Sequence, residues 1–311
     1  MVEGNQKIDV LIIGSGPAGL SAAIYTSWLG LKTVVLESGI VGGRAWLAPK
    51  IENFPGFELG IKGSELVEKM RVHALRLHAE IKDDEEVIGL ELQGEIKRVV
   101  SRKQTYQTSV LIIATGTQRK KLLVPGETDF IGRGVSYCAT CDGPLFKHAT
   151  VAVVGNCEET AIDALLLSEI ANKIILVTNE QEMEISGTLL NRLRDKSNIE
   201  IIKGKITEIL GEQIVKAIRI VDFSTGREEE KEVTGVFVSL GGVPMTAIVK
   251  NAGVAIDENG CLIVDRKQKT NIEGVFAAGD CTCGGMQVIT AAGEGAMAAM
   301  RASGYVRKLT T

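Results

Sequence analysis

Near its start the chain reads Asp9-Val10-Leu11-Ile12-Ile13, then Gly14-Ser15-Gly16-Pro17-Ala18-Gly19, then a helical pattern through Leu29. No other feature restricts the fold as strongly. A short apolar run bounded by a turn is a buried strand of the parallel kind. After it, Gly14 permits the tight turn, Gly16 lets the backbone approach a pyrophosphate, and Gly19 lets helix and strand pack closely. The positive end of the helix then faces the phosphates. A second strand over residues 32–36 ends in Glu37, 23 residues after Gly14. That acid is placed to accept hydrogen bonds from an adenosine ribose. Glycine turns of purely structural purpose are common; strand, turn, helix and acid in this order predict a βαβ unit that binds a dinucleotide. The fingerprint alone does not separate FAD from NAD.

The length of 311 residues leaves room for about two such domains. A net charge of −4 gives no footprint for nucleic acid or an anionic membrane, and 4% aromatic residues leave few platforms for stacking bases. No apolar run reaches the length of a membrane span. The strand pattern begins within ten residues, so a signal peptide is not expected and a cytoplasmic location is. Six cysteines are too few and too irregular for a secreted scaffold; a close pair in a reducing compartment points to catalysis.

Two further strands break the tie between cofactors. Val110-Leu111-Ile112-Ile113 is closed by Ala114-Thr115-Gly116, and Val275-Phe276-Ala277-Ala278 by Gly279-Asp280. Flavoproteins with two dinucleotide-binding domains carry both signatures. By that resemblance Asp280 would bond the ribityl chain of FAD; a turn or helix cap is its other reading.

Cys138-Ala139-Thr140-Cys141-Asp142-Gly143 is the most specific motif. The spacing brings two sulfurs within disulfide reach, and a helix N-terminus there would favour a thiolate. Half a zinc site is the competing reading, but four ligands are usual and no second well-spaced pair is present; no metal is expected. Following Gly-Val-Ser-Tyr and preceding a second strand and glycine turn, the motif resembles the low-molecular-weight thioredoxin reductases, over about residues 9–299. The resemblance also takes in Gly42-Gly43, Glu52-Asn53-Phe54-Pro55-Gly56 and Gln287.

The resemblance implies an α/β fold of two Rossmann-like, three-layer domains, the second inserted into the first. Residues 1–121 and 245–311 would hold FAD, and residues 122–244 would form an NAD(P)-binding-like domain carrying the dithiol. FAD contacts are implied for Ser15, Pro17 and Ala18 of the first turn, Ser38 beside Glu37, and Gly43 with Arg44. They are also implied for Asn53, Ala114, Thr115 and Gly116, and for Gln287 with Val288 at the start of a small-residue helix over 291–299. Cys141 would take electrons from the flavin, Cys138 would attack the partner's disulfide, and Asp142 would act as general acid–base; a plain helix cap is the alternative for Asp142. A thioredoxin-like dithiol protein is the implied partner, and a homodimer the implied assembly.

The second glycine turn departs from the family. Gly155-Asn156-Cys157-Glu158-Glu159-Thr160 keeps one glycine, puts Cys157 where bare backbone should meet pyrophosphate, and sets two acids at the helix end that should attract phosphate. After the next strand, Thr178-Asn179-Glu180 and Glu184 replace the basic residues that grip the 2′-phosphate of NADPH in relatives. Met286 stands where those relatives place an arginine near the flavin. Normal NADPH binding is therefore expected to be lost, as in the ferredoxin-dependent flavin thioredoxin reductase-like branch. Ferredoxin, another flavin or a reduced dithiol protein remain open as electron donors. A flavin-dependent dithiol oxidase using oxygen and a flavin-binding redox sensor are the alternative functions. Cys281 is read as a small buried residue, Cys283 as an incidental thiol, and Trp46 as core or a flavin-stacking group. The charge runs over 83–86 and 227–232 are read as solvated turns.

Overall fold

The computed structural model describes residues 8–48, 51, 53–179 and 182–310, apart from the side chains of residues 141 and 310. Glu52 and Glu180 of the motifs above lie outside the described residues. The chain divides into two compact units, Met1–Gln118 with Pro244–Thr311, and Arg119–Val243. Both are α/β units built on a largely parallel sheet.

In the first unit the run Ile8–Ile13 is a central strand, paired in parallel with Thr33–Leu36 on one side and Thr105–Ile113 on the other. Glu80–Lys82 extends the sheet in parallel beyond Thr33–Leu36. The long strand Thr105–Ile113 is shared between two neighbours. Its second half takes Val275–Ala277 in parallel, and its first half pairs antiparallel with Lys97–Ser101, which in turn pairs with Val87–Glu91. Val10 and Ile12 enter a core with Ala18 and Ala22 of the helix Pro17–Trp28 and Ala298 and Ala302 of the last helix. Leu11 and Ile13 face the opposite core with Leu111, Val249 and Leu262. Burial on both faces is why this strand reads as a continuous apolar run rather than an alternating one. A Cβ at Gly19 would run into the Gly14 carbonyl, so the close seating of helix on strand requires glycine there. The last helix runs Val288–Thr310, well beyond the small-residue stretch expected over 291–299, because buried Ala302 and Val306 continue its apolar stripe.

In the second unit five parallel strands lie in the order Ile199–Ile202, Lys173–Val177, Thr150–Val154, Gly235–Val238, Val135–Ser136. One core holds Val151, Val153 and Ala161 of the helix Glu158–Ser168, and Leu193 of the helix Gly187–Arg194. The other packs Ala152 and Val154 against Ile206, Ile218 and Ile220 of a three-stranded antiparallel sheet, Gly204–Gly211, Val215–Asp222, Glu228–Glu232.

Both charge runs differ from their expected form. Glu228–Glu232 is an edge strand, and Arg219 of its neighbour pairs with Glu208, Glu228 and Glu230. Charged side chains suit an exposed edge because they discourage pairing with another chain. In the 83–86 turn Glu85 is buried and accepts from the Ser101 hydroxyl, so that acid is a tie within the fold rather than a solvated group. Among the described residues no helix is long and apolar enough to cross a membrane.

Candidate functional site

In the first unit the expected cofactor residues collect at one end of the sheet. Gly14, Glu37, Ala114 and Gly279 lie just after the carboxyl ends of four parallel strands, which is where open α/β sheets bind ligands. Gly16 is the N-cap of the first helix, in extended backbone, with Pro17 at the first helical position. It has no side chain to cap the helix, and a Cβ built on it would meet nothing within 4 Å. Open space beside unclaimed helix N–H groups is the concavity a pyrophosphate fits.

Ser15 binds this loop to its neighbours. Its backbone N–H and its hydroxyl both donate to Glu37 Oε2, at 2.8 and 2.7 Å, and its carbonyl accepts from Gly42 N at 3.0 Å. Gly39 N donates to Glu37 Oε1 at 2.8 Å, while Ser38 between them is exposed. Gly43 opens the short helix Gly43–Leu47, which carries Arg44 and the partly exposed Trp46. Arg44 Nη1 donates to Thr117 Oγ1 at 2.8 Å, joining the Gly43 turn to the Ala114-Thr115-Gly116 turn. Thr115 Oγ1 donates to the Met245 carbonyl at 2.8 Å. Asn53 Nδ2 donates to Gln287 Oε1 at 3.0 Å, across 234 residues of sequence, beside Val288 at the head of the last helix. Asp280 begins the turn Asp280–Thr282. That turn is held by a residue the sequence reading did not single out: Glu294 Oε2 accepts from Gly279 N at 2.7 Å and from Thr282 Oγ1 at 3.1 Å. Burial raises the Glu294 carboxyl above its ordinary range, and the negative Asp280 adds to the shift.

In the second unit the dithiol motif occupies a four-residue helix, Ala139–Asp142, between the edge strand Val135–Ser136 and the turn Gly143–Phe146. Cys138 is disulfide-bonded; the side chain of Cys141 lies outside the described residues. Asp142 does not cap the following turn with its side chain. Its Oδ2 accepts instead from the buried Ser136 hydroxyl at 2.6 Å, and the same hydroxyl oxygen accepts from Cys138 N at 3.0 Å. Thr140 Oγ1 lies 3.4 Å from Cys138 Sγ. A second support stands behind the loop. Buried Glu127 accepts through Oε1 from Leu122 N and Tyr137 Oη and through Oε2 from Leu123 N, each at 2.7 Å. Burial and this carboxylate push the Tyr137 phenol well above its usual range. Neither Ser136 nor Glu127 has a spacing signature, so nothing in the sequence pointed to them.

The second glycine turn is filled by its own side chains. Thr160 Oγ1 donates to the Ser239 carbonyl at 2.5 Å and accepts from Cys157 N at 3.3 Å. Cys157 Sγ lies 3.4 Å from Thr160 Oγ1 and 3.7 Å from Ser239 O. Ser239 Oγ donates to Asp163 Oδ2 at 2.7 Å. A Cβ at Gly155 would run into Ser239 O and Thr160 Oγ1, so this glycine serves the internal closure. Glu158 is exposed at the helix start, and Glu184 N donates to the Asn156 carbonyl at 2.7 Å, which brings a further acid to the loop.

Residues 8–295 match the family described as pyridine nucleotide-disulphide oxidoreductase. A thioredoxin reductase of Mycolicibacterium smegmatis is 39% identical over 300 residues, with 96% of each chain covered. The chain belongs to the thioredoxin reductase family. It is, accordingly, a flavoprotein disulfide oxidoreductase. A bifunctional thioredoxin reductase/thioredoxin of Mycobacterium leprae is 40% identical over 96% of this chain, which spans 66% of that protein's length. Among solved structures, the Lactococcus lactis thioredoxin reductase aligns with TM-score 0.85 and 35% identity, covering 97% of this chain and 100% of that one. A ferredoxin-flavin thioredoxin reductase of Clostridium acetobutylicum aligns with TM-score 0.53 and 36% identity, with 98% of each covered.

One cysteine of this thioredoxin reductase family member corrects the sequence reading. Cys283 is not an incidental thiol: it forms a disulfide with Cys261, 22 residues away, with a Cα–Cα distance of 5.8 Å. The two cysteines lie on irregular segments either side of the strand Val275–Ala277, so spacing did not signal the pair. Cys281 is fully buried and free, and burial pushes its thiol up to about 11.

Proposed function

We propose that the chain is an FAD-dependent reductase of a thioredoxin-like disulfide that does not take its electrons from NADPH. The observation that carries the second half is the side-chain closure of the Gly155 turn by Cys157, Thr160 and Ser239. A pyrophosphate needs bare backbone N–H groups at a helix start. Here one hydroxyl and one thiol occupy that space, and Glu158, Glu159 and Glu184 add like charge. The residues present do not fit a pyrophosphate.

The first unit fits FAD better. The open side of Gly16 and the amides after it suit the pyrophosphate, Glu37 the ribose, and Asp280 the ribityl chain. Arg44, Asn53 and Gln287 border the same end of the sheet. FAD, when bound, supplies a couple that exchanges two electrons with a dithiol. The protein's own part lies in the 138–142 loop. In the reduced dithiol, the Cys138 thiolate attacks one sulfur of the partner's disulfide and expels the other as a thiolate. Asp142, held by Ser136, delivers the proton to that leaving sulfur. Cys141 then attacks Cys138 Sγ, closes the intramolecular disulfide and frees the partner's second thiol. The domain division at residues 121 and 245, a thioredoxin-like partner and a homodimer belong to the same reading. Ferredoxin is a candidate donor through the Clostridium neighbour.

Anaerobic mixing of the holoenzyme with NADPH or NADH tests the reading. The flavin absorbance is expected to persist, while dithionite or a reduced dithiol protein bleaches it. Rapid bleaching by micromolar NADPH refutes the donor assignment. Failure of the Cys138→Ser and Cys141→Ser variants to differ in thiolate–flavin charge-transfer absorbance refutes the division of labour between the two sulfurs.

A further inference from the structure

Cys261 and Cys283 join two segments at the cofactor end of the first unit. Cys261 is buried in a loop that pairs through Ile256 and Leu262. Cys283 follows directly on the turn Asp280–Thr282 and leads into the exposed stretch Gly284, Gly285, Met286 and Gln287 before the last helix. Leu262 N donates to the Cys281 carbonyl at 2.8 Å, so the same two segments also share a backbone hydrogen bond.

Three observations distinguish this disulfide from a static brace. Cys283 is only partly buried and abuts open surface, so its sulfur is the approachable one, whereas Cys261 is enclosed. Cys283 and Met286 both hold left-handed backbone, φ 57° and 54°, which side-chain-bearing residues rarely adopt and which surrounding structure must impose. The turn it anchors carries Asp280 and is gripped from the other side by Glu294, which accepts from Gly279 N and Thr282 Oγ1. Releasing one grip on such a turn changes what the other can hold.

We infer that Cys261–Cys283 is a second redox site, reduced reversibly by dithiols, and that its state sets how firmly the Asp280 turn holds the cofactor. The effect on the cofactor rests on the FAD reading above; the exchange chemistry does not. A dithiol thiolate attacks Cys283 Sγ, and the Cys261 sulfur leaves as a thiolate and takes up a proton. The dithiol's second sulfur then attacks the mixed disulfide and frees Cys283. Two electrons and two protons pass to the cysteine pair, and the dithiol departs as a disulfide. Cys281 takes no part: it is enclosed against the carbonyls of Ala278 and Ile113. An enzyme that produces dithiols would in this way loosen its own cofactor turn as its product accumulates.

The test uses the holoenzyme with Cys138→Ser and Cys141→Ser, so that the main dithiol is silent. The protein is incubated with dithiothreitol and, separately, with a reduced thioredoxin. It is alkylated without denaturant, and the modification is assigned to Cys283, the approachable sulfur, by fragmentation mass spectrometry of the peptide that carries it. Labelling is expected after either reductant, to be absent without reductant, and to reverse on adding oxidised dithiothreitol before alkylation. In a parallel measurement, flavin passing an ultrafilter is expected to appear severalfold faster after reduction. Adding Cys261→Ser should give the fast rate with or without reductant. If Cys283 is labelled only after denaturation, the disulfide is a brace and the inference fails. If labelling is reversible but flavin release is unchanged, the control over the cofactor fails. Protein that never binds flavin would refute the FAD reading, while the labelling still decides the exchange.

Discussion

Glu127 offers the sharpest test of how the dithiol loop is held. Its buried carboxylate accepts three hydrogen bonds of 2.7 Å, from Leu122 N, Leu123 N and Tyr137 Oη. Glu127→Ala removes every acceptor and leaves the enclosed Leu122 N–H and the Tyr137 phenol without partners. Hydrogen bonds to a charged group contribute about 1.5–3 kcal/mol each, and an orphaned buried donor costs about 1–3 kcal/mol. The three share one carboxylate and do not add, so a loss of about 3–5 kcal/mol is expected, as for breaking other buried charged networks. Tyr137→Phe removes one donor and leaves the carboxylate satisfied by two amides, which should cost about 1 kcal/mol. Glu127→Gln falls between, because its NH2 must face one of the amide donors. Urea unfolding followed by circular dichroism should rank the variants in that order. Hydrogen exchange over residues 119–127 should accelerate by about two to three powers of ten in Glu127→Ala. The reasoning is refuted if Glu127→Ala lies within about 0.5 kcal/mol of the parent, the usual range for surface changes. It is refuted equally if Tyr137→Phe is as costly as Glu127→Ala.

Ser136→Ala should slow disulfide exchange by roughly tenfold, from loss of one hydrogen bond of about 1.5 kcal/mol to the Asp142 carboxylate; an unchanged rate of exchange with a disulfide substrate counts against a positioned Asp142. For Glu294, burial raises the carboxyl above 4.5, so the folded chain holds this proton more tightly than the unfolded chain. Its contribution is full below 4.5 and is lost as pH rises through the higher folded value; Glu294→Gln should flatten the stability curve over that window in denaturant titrations at stepped pH. Cys281, with its thiol near 11, should be about a thousandth ionised at pH 8 and resist iodoacetamide in the native protein, whereas the less enclosed Cys157 should react first.

The sequence was most readable where one local pattern carried one structural consequence. Val10 to Ile13 is apolar at every position because both faces of the strand are covered, and the turn after it must be glycine where carbonyl and helix meet. Those requirements act within a few residues and leave a mark that a single chain displays. Other features depend on residues brought together by the whole fold. Asp142 stands out beside the two cysteines, but Ser136 looks like an ordinary polar residue until a short helix turns that carboxylate onto it. Glu294 is one glutamate in a helix until the Gly279 turn is laid against it. The run 227–232 was misread because an edge strand whose side chains are all charged shows no apolar alternation. Cys261 and Cys283 sit in irregular loops, where no period relates their spacing to their distance.

The first unit is made of chain segments on both sides of an uninterrupted second one, and this fixes an order of assembly during synthesis. Residues 119–243 emerge as one contiguous stretch and can complete their sheet while the ribosome is still at work. The host sheet cannot close then, because Val275–Ala277 and the helix Val288–Thr310 have yet to be made. Until they arrive, Leu111 to Ile113 lack a neighbouring strand and the alanine face of the first helix lacks its cover. The nascent chain therefore carries a finished guest inside an open host, and cofactor capture must be among the last events in its maturation.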